Sequence, residues 1–223
     1  MYKKIICKMY YGKPVVWVDK IIPHYNSLEK WGWHFVIFTD MPMITRRNVQ
    51  VFNSDTEWFS NFVSRKFEID YDLHFTPEAD YPLSKHLYDL WPTQGVLFED
   101  YHKGFDFWGH GCLDVKFGDL GKWLPDKYLD TFDIFGNDPD AICGPFSLYR
   151  NIPKVNNLFK EIPNWRGKLE GPRGDPPMDE VLMTQVVRRA RDERRIKFAS
   201  GFYQGPDSLM IHFNKEKKWP SNS

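Results

Sequence analysis

Short apolar runs broken by polar or glycine-bearing turns set the rhythm of the first half of the chain. Lys4 to Met9 is such a run, closing on Tyr10-Tyr11-Gly12, and predicts a strand and its turn. Pro14 to Ile22 fits strand or helix, and the helix reading extends through Ser27-Leu28-Glu29-Lys30 to the Trp31-Gly32 break. Trp33 to Phe38 predicts a second buried strand, ending at Thr39-Asp40, and Val49 to Phe52 a third. From Thr56 to Phe67 the period changes: Trp58, Phe59, Phe62, Val63 and Phe67 share one face of a helix. Pro82 to Leu90 and Trp91 to Tyr101 predict two more helices, and Phe107 to Asp114 a central strand. Leu120 to Leu124 closes the turn that follows, and Phe132 to Phe135 and Ala141 to Tyr149 predict strands around Asn137-Asp138-Pro139. Gly171 to Pro177 is a loop of strong breakers. Asp179 to Arg195 starts acidic and ends basic, as the helix dipole favours, and Leu209 to Phe213 predicts a last strand. Strands alternating with helices predict an α/β fold, with a mixed, mostly parallel sheet flanked by helices.

With 223 residues the chain is long enough for one well-buried domain, expected to span residues 1–223. Its 30 Lys and Arg balance 30 Asp and Glu, which argues against a nucleic-acid partner held by bulk charge. No apolar stretch reaches the ~20 residues of a membrane span. Three cysteines, Cys7, Cys112 and Cys143, build no disulfide framework, and Met1 to Lys8 is too short and charged for a secretory signal. These features predict a cytoplasmic protein. Aromatic residues make up 17% of the chain, which suits stacking on flat ligands as well as core packing.

Carboxylates at strand ends are the candidate chemistry, because open α/β sheets bind ligands beyond the carboxyl ends of their strands. Asp40 ends the second strand, where an acid faces a ribose or simply forms a turn. If the fourth strand runs straight through Asp114, then His110, Cys112 and Asp114 share a face. Asp114 is then a ligand for a hard cation, or a turn cap beside a small buried cysteine. His212, at the end of an apolar run and just before several lysines, is a metal ligand near a phosphate or a core-edge histidine. Lys85 and Asp89 lie one helical turn apart. Asp179-Glu180 opens a helix, where acids are stabilising in any case. No glycine-rich phosphate loop, serine elbow or paired-cysteine motif occurs.

Taken in order, these segments resemble a family of small nucleotide-sugar glycosyltransferases of bacteria and large algal viruses. Lys85 to Tyr101 matches a Lys-Leu-x-Asp stretch followed by proline, glycine, phenylalanine and Asp-Tyr, and Phe105 to Leu120 matches the family's Asp-Phe-Trp-Gly block. Val36 to Asp40, Ile142 to Asn151, Asp179-Glu180 and His212-Phe213 match further segments, so the resemblance spans nearly the whole chain. It implies a GT-A-like fold, a UDP- or GDP-sugar donor, a glycan or glycoprotein acceptor, and assistance by Mn2+ or Mg2+. It also implies a cytoplasmic location, the host's if the chain is viral. About 1–115 would be the nucleotide-sugar half and about 116–223 the acceptor half.

By the same resemblance Tyr10, Tyr11 and Asp40 would flank the nucleoside, and Lys85 and Asp89 the sugar. Asp114 and His212 would hold the metal, with Lys215 and Lys217 on the diphosphate. Cys112 stands where the family has the first aspartate of its metal motif, and a thiol is a poor ligand for either ion. Gly144 and Phe146 would line the acceptor side, and Asp179 or Glu180 would act as base in an inverting transfer. Two other readings use the same residues. His110, Cys112, Asp114 and His212 form a soft ligand set suited to zinc, in a hydrolase or a zinc-stabilised domain. The second is a glycosyltransferase-like, nucleotide-sugar-binding module that lost catalysis with the first aspartate.

Overall fold

The computed structural model describes residues 1–12, 18–73, 84–136, 140–142, 145–171, 176–200 and 210–212; for 18–19, 84–86 and 210–212 it describes the backbone alone. Nine strands are found among the described residues: β1 (Lys4–Tyr10), β2 (Trp33–Thr39), β3 (Val49–Asn53), β4 (Phe107–Gly111), β5 (Val115–Phe117), β6 (Ile134–Gly136), β7 (Phe146–Arg150), β8 (Phe198–Ser200) and β9 (Met210–His212). Seven form one sheet in the order β3-β2-β1-β4-β7-β6-β8, and β5 and β9 form a separate antiparallel pair. Within the sheet β7 alone runs against its neighbours. The expected class, a mixed and mostly parallel sheet flanked by helices, is the one observed.

Alternation along the strands explains two cores. Ile5, Cys7 and Met9 of β1, with Val36 and Phe38 of β2 and Trp108 of β4, pack on one face. Ile6, Trp33, Phe35, Ile37 and Phe107 pack on the other. Side chains two apart on a strand share a face, so each apolar run feeds both cores. The first core is covered by the helix Thr56–Phe67 and the later helices, the second by the helix Val18–Ser27 and the segment around Leu113 to Leu129. The helix Thr56–Phe67 begins where Asp55 accepts a hydrogen bond from the Trp58 amide and ends at Glu68, in the left-handed region at φ 55°. Gly32, at φ 75°, makes the turn into β2, and a side chain there would strike the Tyr2 carbonyl.

Several expectations are corrected. β4 stops at Gly111, Leu113 and Asp114 form a turn, and the chain leaves the sheet to make β5. Gly111 permits this close approach: a Cβ there would lie 2.5 Å from the Pro145 carbonyl oxygen. The strand expected over Ala141 to Tyr149 is Phe146–Arg150. The helix expected over Trp91 to Tyr101 is a 3-10 turn, Trp91–Thr93, followed by the single turn Gln94–Leu97. The helix expected from Asp179 opens as a π-helical turn, Met178–Leu182, before Met183–Asp192. β5, β8 and the helix Asp126–Thr131 were not foreseen.

Candidate functional site

Strand order reverses at β1: β2 and β3 lie on one side of it and β4 on the other. In open parallel sheets this reversal leaves a crevice beyond the carboxyl ends of the two strands that flank it. The residues at that edge are Tyr10, Tyr11 and Gly12 after β1, Asp40 after β2, and Cys112 to Asp114 after β4. Asp40 is exposed, and both its carboxylate oxygens accept from the Gly12 amide at 3.2 Å, joining the two strand ends. Tyr10 is half-buried, and burial raises its pKa, with further contributions from Asp40 and Asp114. One phenol therefore feels both carboxylates, and residues far apart in the chain meet at one edge.

The turn carrying Asp114 is fastened from below. Lys8 is fully buried, and its Nζ donates to the Cys112 carbonyl oxygen at 2.6 Å. The same ammonium lies 5.0 Å from the ring centre of Tyr25 and 5.4 Å from that of Phe117. Burial pushes Lys8 down to about 7, against the opposing pull of Cys112 and Asp114. Tyr25 Oη donates to the carbonyls of Leu113 at 2.8 Å and Val115 at 3.0 Å. Nε2 of His24 accepts from the Phe117 amide at 2.9 Å. Sequence reading missed this support. Its signal was a lysine inside an apolar strand, on the same face as Ile6.

His212 arrives by register: β9 pairs with β5 so that His212 lies opposite Val115, next to Asp114 in the chain. Its backbone alone is described. Asp114 offers the hard oxygen donor that manganese or magnesium takes, and Cys112 does not. Among the described residues no three His, Cys, Asp or Glu side chains are grouped to hold a metal. Those residues thus supply one suitable donor, with a second position, His212, close in the backbone. The soft set proposed for zinc is not assembled as expected. β4 does not run through Asp114, and the buried His110 ring lies parallel to Trp91 at 5.0 Å, on the face away from Lys8.

Other expected site residues are placed as follows. The Tyr11 ring is 1% exposed against Phe59, with its hydroxyl 2.9 Å from Ser54 Oγ, so it presents no face for a base. Asp89 is 2% exposed, and its Oδ1 accepts from the Met178 amide at 2.8 Å. It thus ties the helix Ser84–Asp89 to the π-helical turn rather than standing on an open helix face. Lys85 lies on that helix and its backbone alone is described. Within the π-helical turn Asp179 is buried and Glu180 exposed. This turn packs on Ser84–Asp89 and on Trp91–Thr93, which brings it to the His110 side of the same edge. Phe146 is a core residue packed on Phe117 and Trp33, which removes it from the acceptor wall. Gly144, Lys215 and Lys217 lie outside the described residues. No helix among the described residues is long and apolar enough to cross a membrane.

Comparison with solved structures finds remote similarities. A manganese, UDP-Gal and xylobiose complex of a mutant Drosophila β-1,4-galactosyltransferase 7 aligns at 12% identity and TM-score 0.48, covering 97% of this chain and 74% of that one. The galactosyltransferase LgtC, bound to donor and acceptor sugar analogues, aligns at 9% identity and TM-score 0.45, over 88% and 72%. A glycosyltransferase involved in glycosylating the major capsid of PBCV-1 aligns at 11% identity and TM-score 0.45, over 94% and 93%. No curated protein matches the chain. A family model matches residues 7–193, and the chain accordingly belongs to the family of unknown function DUF6625.

Proposed function

We propose that this chain is a GT-A-like glycosyltransferase that moves a sugar from a UDP- or GDP-sugar to a glycan or glycoprotein acceptor. The observation that carries this reading is the convergence of Tyr10, Asp40 and Asp114 at the crevice where strand order reverses. Tyr10 offers a partly open ring to a base, and Asp40 an exposed carboxylate to ribose hydroxyls. Asp114, with His212 in register opposite the adjoining Val115, would hold manganese or magnesium together with diphosphate oxygens and water. Such an ion, when bound, neutralises charge on the leaving diphosphate. Lys215 and Lys217 complete the charge around the phosphates in this reading, and Lys85 bonds a sugar or phosphate oxygen.

On the acceptor side, Asp179 and Glu180 lie in the turn that reaches the His110 side of the same edge, and Gly144 joins them in this reading by the resemblance alone. In an inverting transfer one of these two carboxylates takes the proton of the attacking hydroxyl. The reading is tested by titrating UDP and GDP into the parent and Asp40→Ala chains, and by measuring donor hydrolysis and transfer. We expect Asp40→Ala to weaken nucleotide affinity by roughly tenfold, the loss of charge-assisted hydrogen bonds. Unchanged affinity would remove Asp40 from the nucleoside site. Nucleotide binding with neither hydrolysis nor transfer would leave a binding module rather than an enzyme.

A further inference from the structure

A lysine side chain enclosed between β1, the helix Val18–Ser27 and the turn after β4 has no place in the expected donor chemistry. Lys8 Nζ is sealed from solvent, bonded at 2.6 Å to the Cys112 carbonyl oxygen, and faced by the rings of Tyr25 and Phe117. Enclosing an ammonium is costly, and a methionine would fill nearly the same space without that cost. Core packing alone therefore does not account for it. Its surroundings point upward, to the turn. Lys8 takes the carbonyl of Cys112, and Tyr25 takes those of Leu113 and Val115. Three carbonyls of the four residues Cys112 to Val115 are thus held to the protein side, which fixes the backbone that presents Asp114. At this turn a thiol replaces one of the two carboxylates that the resemblance implies, so less of the charge on a diphosphate can be met through protein-bound metal.

We propose that Lys8 is a positioning residue for Asp114 and, through its enclosed ammonium when protonated, a positive charge beneath the diphosphate of the donor. This role rests on the donor-site reading above. The ammonium acts through the turn and touches no substrate. A fixed cation in a poorly solvated place attracts an anion across a few ångströms more strongly than the same charge in water. Nucleotide binding should therefore retain a component that does not require divalent metal.

The experiment compares the parent chain with Lys8→Met and Lys8→Gln, the latter keeping a hydrogen-bond donor without the charge. UDP is titrated calorimetrically with Mn2+ and again with EDTA, melting temperatures are recorded, and amide exchange is followed over residues 112–117 without ligand. We expect Lys8→Met to melt no lower than the parent, to exchange faster in this turn, and to bind UDP about tenfold or more weakly in both conditions. Lys8→Gln should restore slow exchange more than affinity, and it carries the test if the methionine variant does not fold. Parent-like UDP affinity in a folded variant overturns the charge role, and parent-like exchange in Lys8→Met overturns the positioning role. A parent chain that binds no nucleoside diphosphate overturns the donor reading itself, and with it the charge role. The exchange measurement still judges positioning on its own.

Discussion

At the scale of single residues, the pair Cys7 and His102 shows how burial silences groups that look reactive in a sequence. Cys7 Sγ lies 3.3 Å from His102 Nε2, and both are enclosed. An accessible thiol and imidazole at this distance form a nucleophile and its base. Here burial raises the thiol pKa and lowers that of His102 to about 3, so both stay neutral near pH 7. The pair is structural, and its signature is a pH dependence of stability. The unfolded chain takes up a proton on His102 below its ordinary value of 6.5, whereas the folded chain resists until about 3. Stability is therefore intact above pH 6.5 and falls as pH drops toward 3, by up to ~1.4 kcal/mol per unit from this group. His102→Gln should flatten that slope relative to the parent in urea unfolding between pH 7 and 4. Parallel slopes in the two proteins would refute the assignment.

At the scale of elements, Asp89 joins two segments that sequence reading kept apart. Its enclosed carboxylate accepts the Met178 amide and so ties the helix Ser84–Asp89 to the π-helical turn Met178–Leu182. Asp89→Ala leaves a buried amide without that acceptor and is expected to cost roughly 1–3 kcal/mol, read from denaturant midpoints. A loss of donor discrimination at parent stability would instead return Asp89 to the sugar. The same elements show what was legible. The helix Thr56–Phe67 was found to the residue, because its apolar face and its Asp55 cap agree. β1, β2 and β3 were each found to within a residue, as buried runs between turns. β5 and β8 are three residues long, and the half-buried Phe198, Ala199 and Ser200 offer no alternation to read. The end of β4 was misjudged for a tertiary reason. The antiparallel approach of β7 at Gly111, and the pull of Lys8 and Tyr25 on the next carbonyls, turn a chain that composition alone would continue. In the candidate site, Asp40 was legible as an acid at a strand end, Asp114 lies beyond the end of β4 rather than on it, and the enclosure of the Tyr11 and Phe146 rings was not legible.

At the scale of the molecule, one sheet and one small strand pair bring early and late chain to a single edge. β1, β2 and β4 end there, and β9 is laid beside β5, so the positions of Asp114 and His212 become neighbours. A ligand that bridges these parts holds β1, the turn after β4 and the late strand together, and so stabilises the fold as a whole. By mass action a ligand at a hundred times its dissociation constant adds about 2.7 kcal/mol. In a domain of this size each kcal/mol is worth roughly 2–4 °C in melting temperature. A saturating donor should therefore raise the melting temperature by roughly 5–10 °C. Metal should behave asymmetrically. In the proposed site one carboxylate and one neighbouring histidine position would hold a divalent ion weakly, so Mn2+ alone should shift melting little, while Mn2+ with a nucleotide sugar should exceed the nucleotide sugar alone. A panel of UDP- and GDP-sugars, each scanned with Mn2+ and with EDTA, reads both effects and ranks the sugars. A large shift from zinc alone, with none from any nucleotide sugar, would move the site to the soft-metal reading. No shift from any of these ligands would mean that the crevice beyond β1 and β4 is not a nucleotide-sugar site.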